Sequence, residues 1–170
     1  MNKIKYWLIA INLLAVLSYF AIETADKERI LKHAPEVRLK LAPVDPRSLM
    51  QGDYMRLNFD IINRSFDFKQ ERGNHIKYAI VSVPDGEYIR TQADNQGIAP
   101  DEVAIKVITE AYWSHLSSEN YFFEEGTGHL YNDAKFALVS VDEDGNIYIK
   151  NLCDSIGNII EPKAQSKDNK

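Results

Sequence analysis

An uncharged apolar run near the amino terminus constrains the fold of this chain more than any other feature. Residues 6–22, YWLIAINLLAVLSYFAI, include no Asp, Glu, Lys, Arg or His. As a helix, these 17 residues would span about 26 Å, near the lower limit for crossing the apolar core of a bilayer. Tyr6 and Trp7 lie at one end and Tyr19 near the other, as is common at membrane interfaces. The run therefore predicts a transmembrane helix over residues 6–22.

The basic residues before this run predict its orientation. Lys3 and Lys5 lie in the short stub 1–5 and favour a cytoplasmic amino terminus, which places the rest of the chain across the membrane. A cleaved signal peptide and a buried core helix are the alternatives. The best small-x-small cleavage pattern, Val16 and Ser18, lies inside the apolar run, so a retained anchor is favoured.

The chain after the anchor reads as a helical neck, a strand-rich domain and a polar tail. The neck covers 23–35 and ends near Pro35, because proline disfavours helix in the residue before it. The tail covers 161–170. Apolar alternation predicts strands within 36–160, at 36–44, 54–62, 75–83, 87–90, 102–113, 120–124, 135–141 and 146–152. We therefore expect an α+β fold that is mainly β: a transmembrane helix, then a mostly antiparallel sheet of roughly seven to nine strands outside the cytoplasm.

Charge and cysteine content exclude several classes of function. The net charge is −5, and nucleic acid binding needs clustered Lys and Arg, so no nucleic acid partner is expected. Cys153 is the single cysteine, which allows no internal disulfide and no cysteine metal cluster. The histidines are far apart in sequence, at His33, His75, His115 and His129. We therefore expect no metal and no cofactor.

One motif lies where a turn-rich segment meets a strand, and a second segment follows later in the chain. The residues of the pattern are Asp45, Arg47, Gly52, Asp53, Tyr54, Leu57, Phe59, Glu125 and Gly126. This pattern resembles the bacterial GDYXXLXY family of membrane-anchored proteins of unknown function, over nearly the whole chain after the anchor. Phe59 stands where the motif has a second Tyr. The resemblance implies a bacterial inner-membrane protein with a periplasmic domain, and a multi-helix membrane protein as a partner. It implies no reaction.

The turn part of the motif has a physical interpretation of its own. Gly52 permits a tight turn with positive φ, and Asp53 can hydrogen-bond the backbone two residues on. Asp45 and Arg47 flank Pro46 and are placed to form an ion pair at the entry to this turn.

The strand part of the motif divides into two faces. Leu57 and Phe59 share one face and are expected in the core, because alternate residues of a strand point to the same side. Tyr54 has the opposite parity and is expected at the rim of the domain. It is either covered by the 45–53 segment or presented to a partner, and the motif is therefore a candidate recognition surface.

Two other acidic clusters have simpler interpretations than catalysis or calcium binding. Glu124 and Glu125 are adjacent, so on a strand they would point to opposite sides and would not share a site. The acidic residues around Gly145 faintly resemble a calcium loop, but Cys153 would occupy the twelfth position, so Asp142 is expected in a plain hairpin turn.

These observations favour a non-catalytic accessory or binding subunit of a membrane complex. One alternative is a membrane-bound serine hydrolase, with Ser48 as nucleophile and Lys77 as base. Another is a small-molecule or glycan-binding module that uses the aromatic side chains Tyr54, Tyr112, Trp113 and Tyr121.

Asn12 lies halfway along the apolar run. A carboxamide near the bilayer midplane is commonly buried against another helix that accepts its hydrogen bonds. We therefore expect a helix contact at Asn12, either with a multi-helix partner or with a second copy of the chain. The alternative is that the membrane tolerates a single Asn.

Overall fold

The computed structural model of this chain describes residues 2–42, 54–64, 73, 75–110 and 113–161. The chain divides into two compact units, Met1–Ala34 and Pro35–Lys170.

The first unit is a single helix, α1 (Asn2–His33). It is long and apolar enough to cross a membrane, and none of the apolar segment is buried within the protein. The segment predicted to cross the membrane and the predicted neck therefore form one continuous helix, which is a candidate membrane anchor. Lys32 and His33 lie in its last turn, where positive charge interacts favourably with the helix dipole. The helix ends two residues before Pro35.

The second unit consists mainly of short strands. Their bounds are β1 (Glu36–Lys40), β2 (Tyr54–Arg56), β3 (His75–Ser82), β4 (Tyr88–Gln92), β5 (Glu102–Glu110), β6 (Trp113–Leu116), β7 (Asn120–Phe122), β8 (Phe136–Val141) and β9 (Ile147–Cys153). One short helix, α2 (Asp60–Arg64), and a 3-10 turn, Gly128–Tyr131, complete the described elements. Every pair of these strands is antiparallel. The predicted fold class, mainly β and antiparallel after a long apolar helix, is confirmed.

The described strands form three sheets, and the prediction of one continuous sheet is wrong. The strand orders are β1-β8-β9, β2-β7 and β4-β3-β5-β6. The four-stranded sheet joins the β3–β4 hairpin to the β5–β6 hairpin through the β3–β5 pair, in which Ile80 lies opposite Ala104. The first joins β1 to the β8–β9 hairpin, with Val37 opposite Val139.

One hydrophobic core joins the three sheets. It contains the inward-facing residues of each, and its largest fully buried side chains include Phe59, Leu39, Ile105, Ile147 and Leu152. Alternation accounts for the core face of β1, and a register shift between β8 and β9 brings Ile147 and Leu152 to the same face of β9 although they are five residues apart.

Several strands are shorter than the sequence predicts, and in two of them another element occupies the rest of the predicted range. The predicted strand 54–62 pairs only as far as Arg56, and α2 begins at Asp60. The apolar alternation nevertheless continues past the end of pairing, because Phe59 is fully buried and forms an isolated bridge to Leu41. The predicted strand 102–113 ends at Glu110, and the chain reverses to form β6, which the sequence did not predict.

A five-residue turn of sequence D-x-x-G-N occurs twice, at 142–146 and 154–158. In both copies the first carboxylate accepts hydrogen bonds from the backbone N–H groups two and four residues later, at 2.7–3.0 Å. Gly145 and Gly157 have φ of 81° and 88°, a region that favours glycine. The first copy is the predicted hairpin turn between β8 and β9. The second returns the chain beside β9 through a bridge between Cys153 and Ile159.

Candidate functional site

The two parts of the sequence motif lie side by side in the fold. Strand β2 begins at Tyr54, and it pairs with β7, the strand that precedes the second segment of the pattern. Tyr54 lies opposite Phe122, and Met55 lies opposite Tyr121. The backbone N–H of Leu57 donates to the carbonyl of Glu119 at 2.6 Å and extends the contact beyond the strand. The motif is therefore one structural unit formed by two distant segments.

The inward face of this unit is part of the core. Met55 and Leu57 are each 4% exposed, and Phe59 is fully buried. The backbone N–H of Ala42 donates to the carbonyl of Asn58 at 2.7 Å, which ties this segment to the end of β1. Leu57 and Phe59 are core residues, as predicted, and they contribute packing rather than recognition. The core also accommodates Phe59 where the motif has Tyr.

The outward face carries an aromatic pair. The rings of Tyr54 and Phe122 lie with centroids 5.8 Å apart and planes tilted by 41°, a distance typical of interacting aromatic side chains. Phe122 is 72% exposed and Tyr54 is partly exposed. Phe122 therefore presents most of an aromatic ring to solvent, next to a second aromatic side chain.

Arg56 adds a positive charge to the same face. Its guanidinium binds one carboxylate oxygen of Glu119, with Nη2–Oε2 at 2.9 Å and Nε–Oε2 at 3.2 Å. The other oxygen accepts the backbone N–H of Leu116 at 3.3 Å. The Arg56 side chain is 71% exposed and that of Glu119 is 14% exposed, so Glu119 holds in place a guanidinium that is open to solvent. We call Tyr54, Phe122 and Arg56 the outer patch.

The inward face of β7 packs against the 3-10 turn. The ring of Tyr131 contacts those of Tyr121 and Phe123, with centroids 5.3 Å and 5.7 Å away. Burial raises the pKa of Tyr121, as does its hydrogen bond with Tyr131. Tyr121 therefore packs within the domain, although the sequence grouped it with candidate ligand-binding aromatics.

Glu125 and Gly126 lie in the turn that follows β7. Both are exposed, and Gly126 has a φ of 79° with open space around it. The backbone N–H and the hydroxyl of Thr127 both donate to the carbonyl of Glu124, at 3.0 and 2.6 Å. Gly126 thus permits the reversal that brings Tyr131 back against β7. Glu124 and Glu125 follow β7, which ends at Phe122, so neither residue belongs to the paired strand.

Several predicted site residues lie outside the described residues, namely Asp45, Arg47, Ser48, Gly52, Asp53 and Tyr112. The Asp45–Arg47 ion pair, the turn at Gly52 and a nucleophilic Ser48 therefore stay predictions. Lys77, the base of the hydrolase alternative, lies on β3 opposite Val107. Within the described ranges, no group of three or more His, Cys, Asp or Glu side chains is arranged to hold a metal ion.

Two residues of this site, Phe122 and Glu119, were not predicted from the sequence, whereas the alternation that places Tyr54 at the rim also places Arg56 beside it. Alternation along NYF places Tyr121 and Phe122 on opposite faces, but it does not say which of the two faces the core. Only the register with β2 assigns Phe122 to the face of Tyr54.

Comparison with known proteins identifies one family. The sequence model of GDYXXLXY proteins matches residues 16–152, which is most of the chain. The chain belongs to the GDYXXLXY family. Searches of curated proteins and of solved structures find no match. The region shared with other GDYXXLXY proteins begins within α1 and contains both strands that carry the outer patch.

Proposed function

We propose that this GDYXXLXY protein is a non-catalytic, membrane-anchored binding subunit of a bacterial envelope complex. The observation that carries the proposal is the division of the motif into two faces. Leu57 and Phe59 are buried and hold β2 in place, whereas Tyr54 pairs with a 72% exposed Phe122 on the outside. An aromatic pair held by a rigid, buried scaffold is typical of the centre of a protein contact site.

The proposed location is the bacterial inner membrane. Helix α1 crosses it with the amino terminus in the cytoplasm, and the Pro35–Lys170 unit lies in the periplasm. The length and apolar composition of α1 support the anchor. Lys3 and Lys5 before the apolar run support the orientation by the positive-inside rule.

The proposed partner is a multi-helix integral membrane protein whose exposed loops present an apolar surface with an acidic rim. The apolar part would cover the rings of Tyr54 and Phe122. A carboxylate on the rim would meet the guanidinium of Arg56, which Glu119 already holds in place. Such a fixed guanidinium loses little side-chain entropy on binding.

The outer patch is tested by co-purification of the full-length protein from its native membrane. Complete burial of a Phe side chain is worth about 1.5–3 kcal/mol, and a partner can bury only the 72% of Phe122 that is exposed, so Phe122→Ala should weaken partner binding roughly 6-fold to 40-fold. Tyr54→Ala should act in the same direction with little change in melting temperature. Ile89→Ala is the matched control, because Ile89 is a 45% exposed apolar residue on another sheet. Equal loss of the partner in all three variants would contradict the outer patch.

Two further measurements test the location and the absence of catalysis. Protease added to spheroplasts should digest the Pro35–Lys170 unit, and complete protection without lysis would overturn the proposed topology. Fluorophosphonate probes should not label the protein. Labelling that is lost in Ser48→Ala, with the fold intact, would favour the hydrolase.

A further inference from the structure

The apolar segment of α1 carries one carboxamide, at Asn12. The side chain of Asn12 is exposed on the surface of the helix, and within the described part of the chain no hydrogen bond reaches its amide. Ser18, the other small polar side chain of this segment, is of a type that can bond a carbonyl of its own helix. Asn12 is therefore the group of α1 that most needs a partner in a membrane.

We propose that α1 pairs in parallel with α1 of a second copy of this chain, with Asn12 against Asn12. This inference rests on the proposed membrane anchor. A carboxamide has both a donor and an acceptor, so two of them satisfy each other. Copies that insert in the same direction place Asn12 at the same depth. A second copy therefore supplies the complementary group at the required position, without any other protein.

The residues around Asn12 form a suitable contact face. Leu8, Asn12, Ala15, Tyr19 and Ile22 are spaced by four and three residues in alternation, which places them along one side of α1. This is the spacing of the seam of a left-handed helix pair, in which a single Asn can specify the register.

The composition of this face limits how the helices meet. Ala15 is small, and small residues let two helix backbones approach closely in a membrane. Two turns beyond Ile22, the same face carries Arg29, which would repel its copy. The contact is therefore confined to the apolar segment.

Disulfide scanning of the full chain in its native membrane tests the pairing. Leu8→Cys and Ala15→Cys lie on the contact face, and Leu13→Cys and Leu17→Cys lie on the opposite side of α1. After oxidation with copper phenanthroline, the first two should give cross-linked dimers and the other two should not. The wild-type chain is the background control, because its own Cys153 is 1% exposed.

The role of the carboxamide is tested in the Ala15→Cys chain. Adding Asn12→Leu should reduce dimer formation about 5-fold to 30-fold, which corresponds to about 1–2 kcal/mol. Adding Asn12→Gln should retain much of it, because the amide is kept. Equal cross-linking at all four positions, none at any position, or cross-links to a different protein would overturn the pairing.

Alkaline carbonate extraction of the same samples separates this inference from the proposed function. A chain that stays in the membrane but gives no dimers specific to the contact face refutes the pairing alone. A chain that is extracted refutes the anchor and the pairing together.

Discussion

Two phenylalanines of the candidate site should respond very differently to the same truncation. Phe59 is fully buried, and Phe122 is 72% exposed. Phe59→Ala removes a whole ring from the core, a change that typically costs about 3–5 kcal/mol. Phe122 buries roughly a quarter of its surface, and complete burial of a Phe is worth about 1.5–3 kcal/mol, so Phe122→Ala should cost about 0.4–0.8 kcal/mol.

Thermal unfolding of the full-length protein in detergent measures this difference. For a domain of this size, 1 kcal/mol corresponds to a shift in melting temperature of about 3–5 °C. Phe59→Ala should therefore lower the melting temperature by roughly 9–25 °C, and Phe122→Ala by about 1–4 °C. The near-ultraviolet circular dichroism signal, which comes from aromatic side chains held in asymmetric packing, follows this loss of packing.

Phe59→Tyr is a control for Phe59→Ala that keeps the aromatic ring in the core. Phe59→Tyr keeps the ring and introduces the residue of the family motif, so it should retain most of the stability that Phe59→Ala loses. Equal destabilisation by Phe59→Ala and Phe122→Ala would refute the division of the motif into a buried and a presented face. Phe122 would then be a structural residue.

Two further predictions concern turns and pH. Gly145→Ala and Gly97→Ala both place a side chain at positive φ, at a cost of about 1–2 kcal/mol. A Cβ at Gly145 would also lie 2.9 Å from the carbonyl oxygen of Ala104, whereas a Cβ at Gly97 would contact no atom within 4 Å. Gly145→Ala should therefore lower the melting temperature more than Gly97→Ala, and equal losses would contradict the close packing at Gly145. The hydrogen bond from Arg90 lowers the pKa of Glu102. At a pH between this lowered pKa and the ordinary pKa of Glu, the unfolded state therefore binds more protons than the folded state. The stability of the fold should fall as the pH drops below about 4.5. Glu102→Gln and Arg90→Gln should both flatten this loss in melting temperatures measured from pH 6 to pH 3, and an unchanged slope would contradict a contribution from the pair.

The sequence predicts which face of a strand is buried better than it predicts the partner of that strand. Alternation correctly places Val37, Leu57 and Phe59 in the core, because a half-buried strand must repeat every two residues. Nothing local specifies that β1 pairs with β8 or that β2 pairs with β7. The core half of the motif was therefore predictable, but Phe122 was not, since its position depends on a pairing between distant segments.

Strand ends were predicted poorly where the usual turn residues are missing. Trp113 at the start of β6 pairs with Glu110 at the end of β5, and the sequence between them has no residue type characteristic of a turn, so β5 and β6 read as one strand. By contrast, Gly145 lies in a turn that the sequence predicted, since Asp-Gly is a turn signal with a known mechanism.

The pairing of β1 with β8 has a consequence for the order of events during synthesis. Strand β1 is the first of its domain to leave the ribosome, and its partner is encoded about 100 residues later. At about 5–20 residues per second, roughly 5–20 s pass before that partner exists. Until then the apolar face of β1 is not packed in the core, and its backbone N–H and C=O groups lack their native hydrogen-bond partners. A chain that stops after β7 would carry this strand permanently exposed, and it would be a substrate for chaperones and proteases rather than a smaller folded domain.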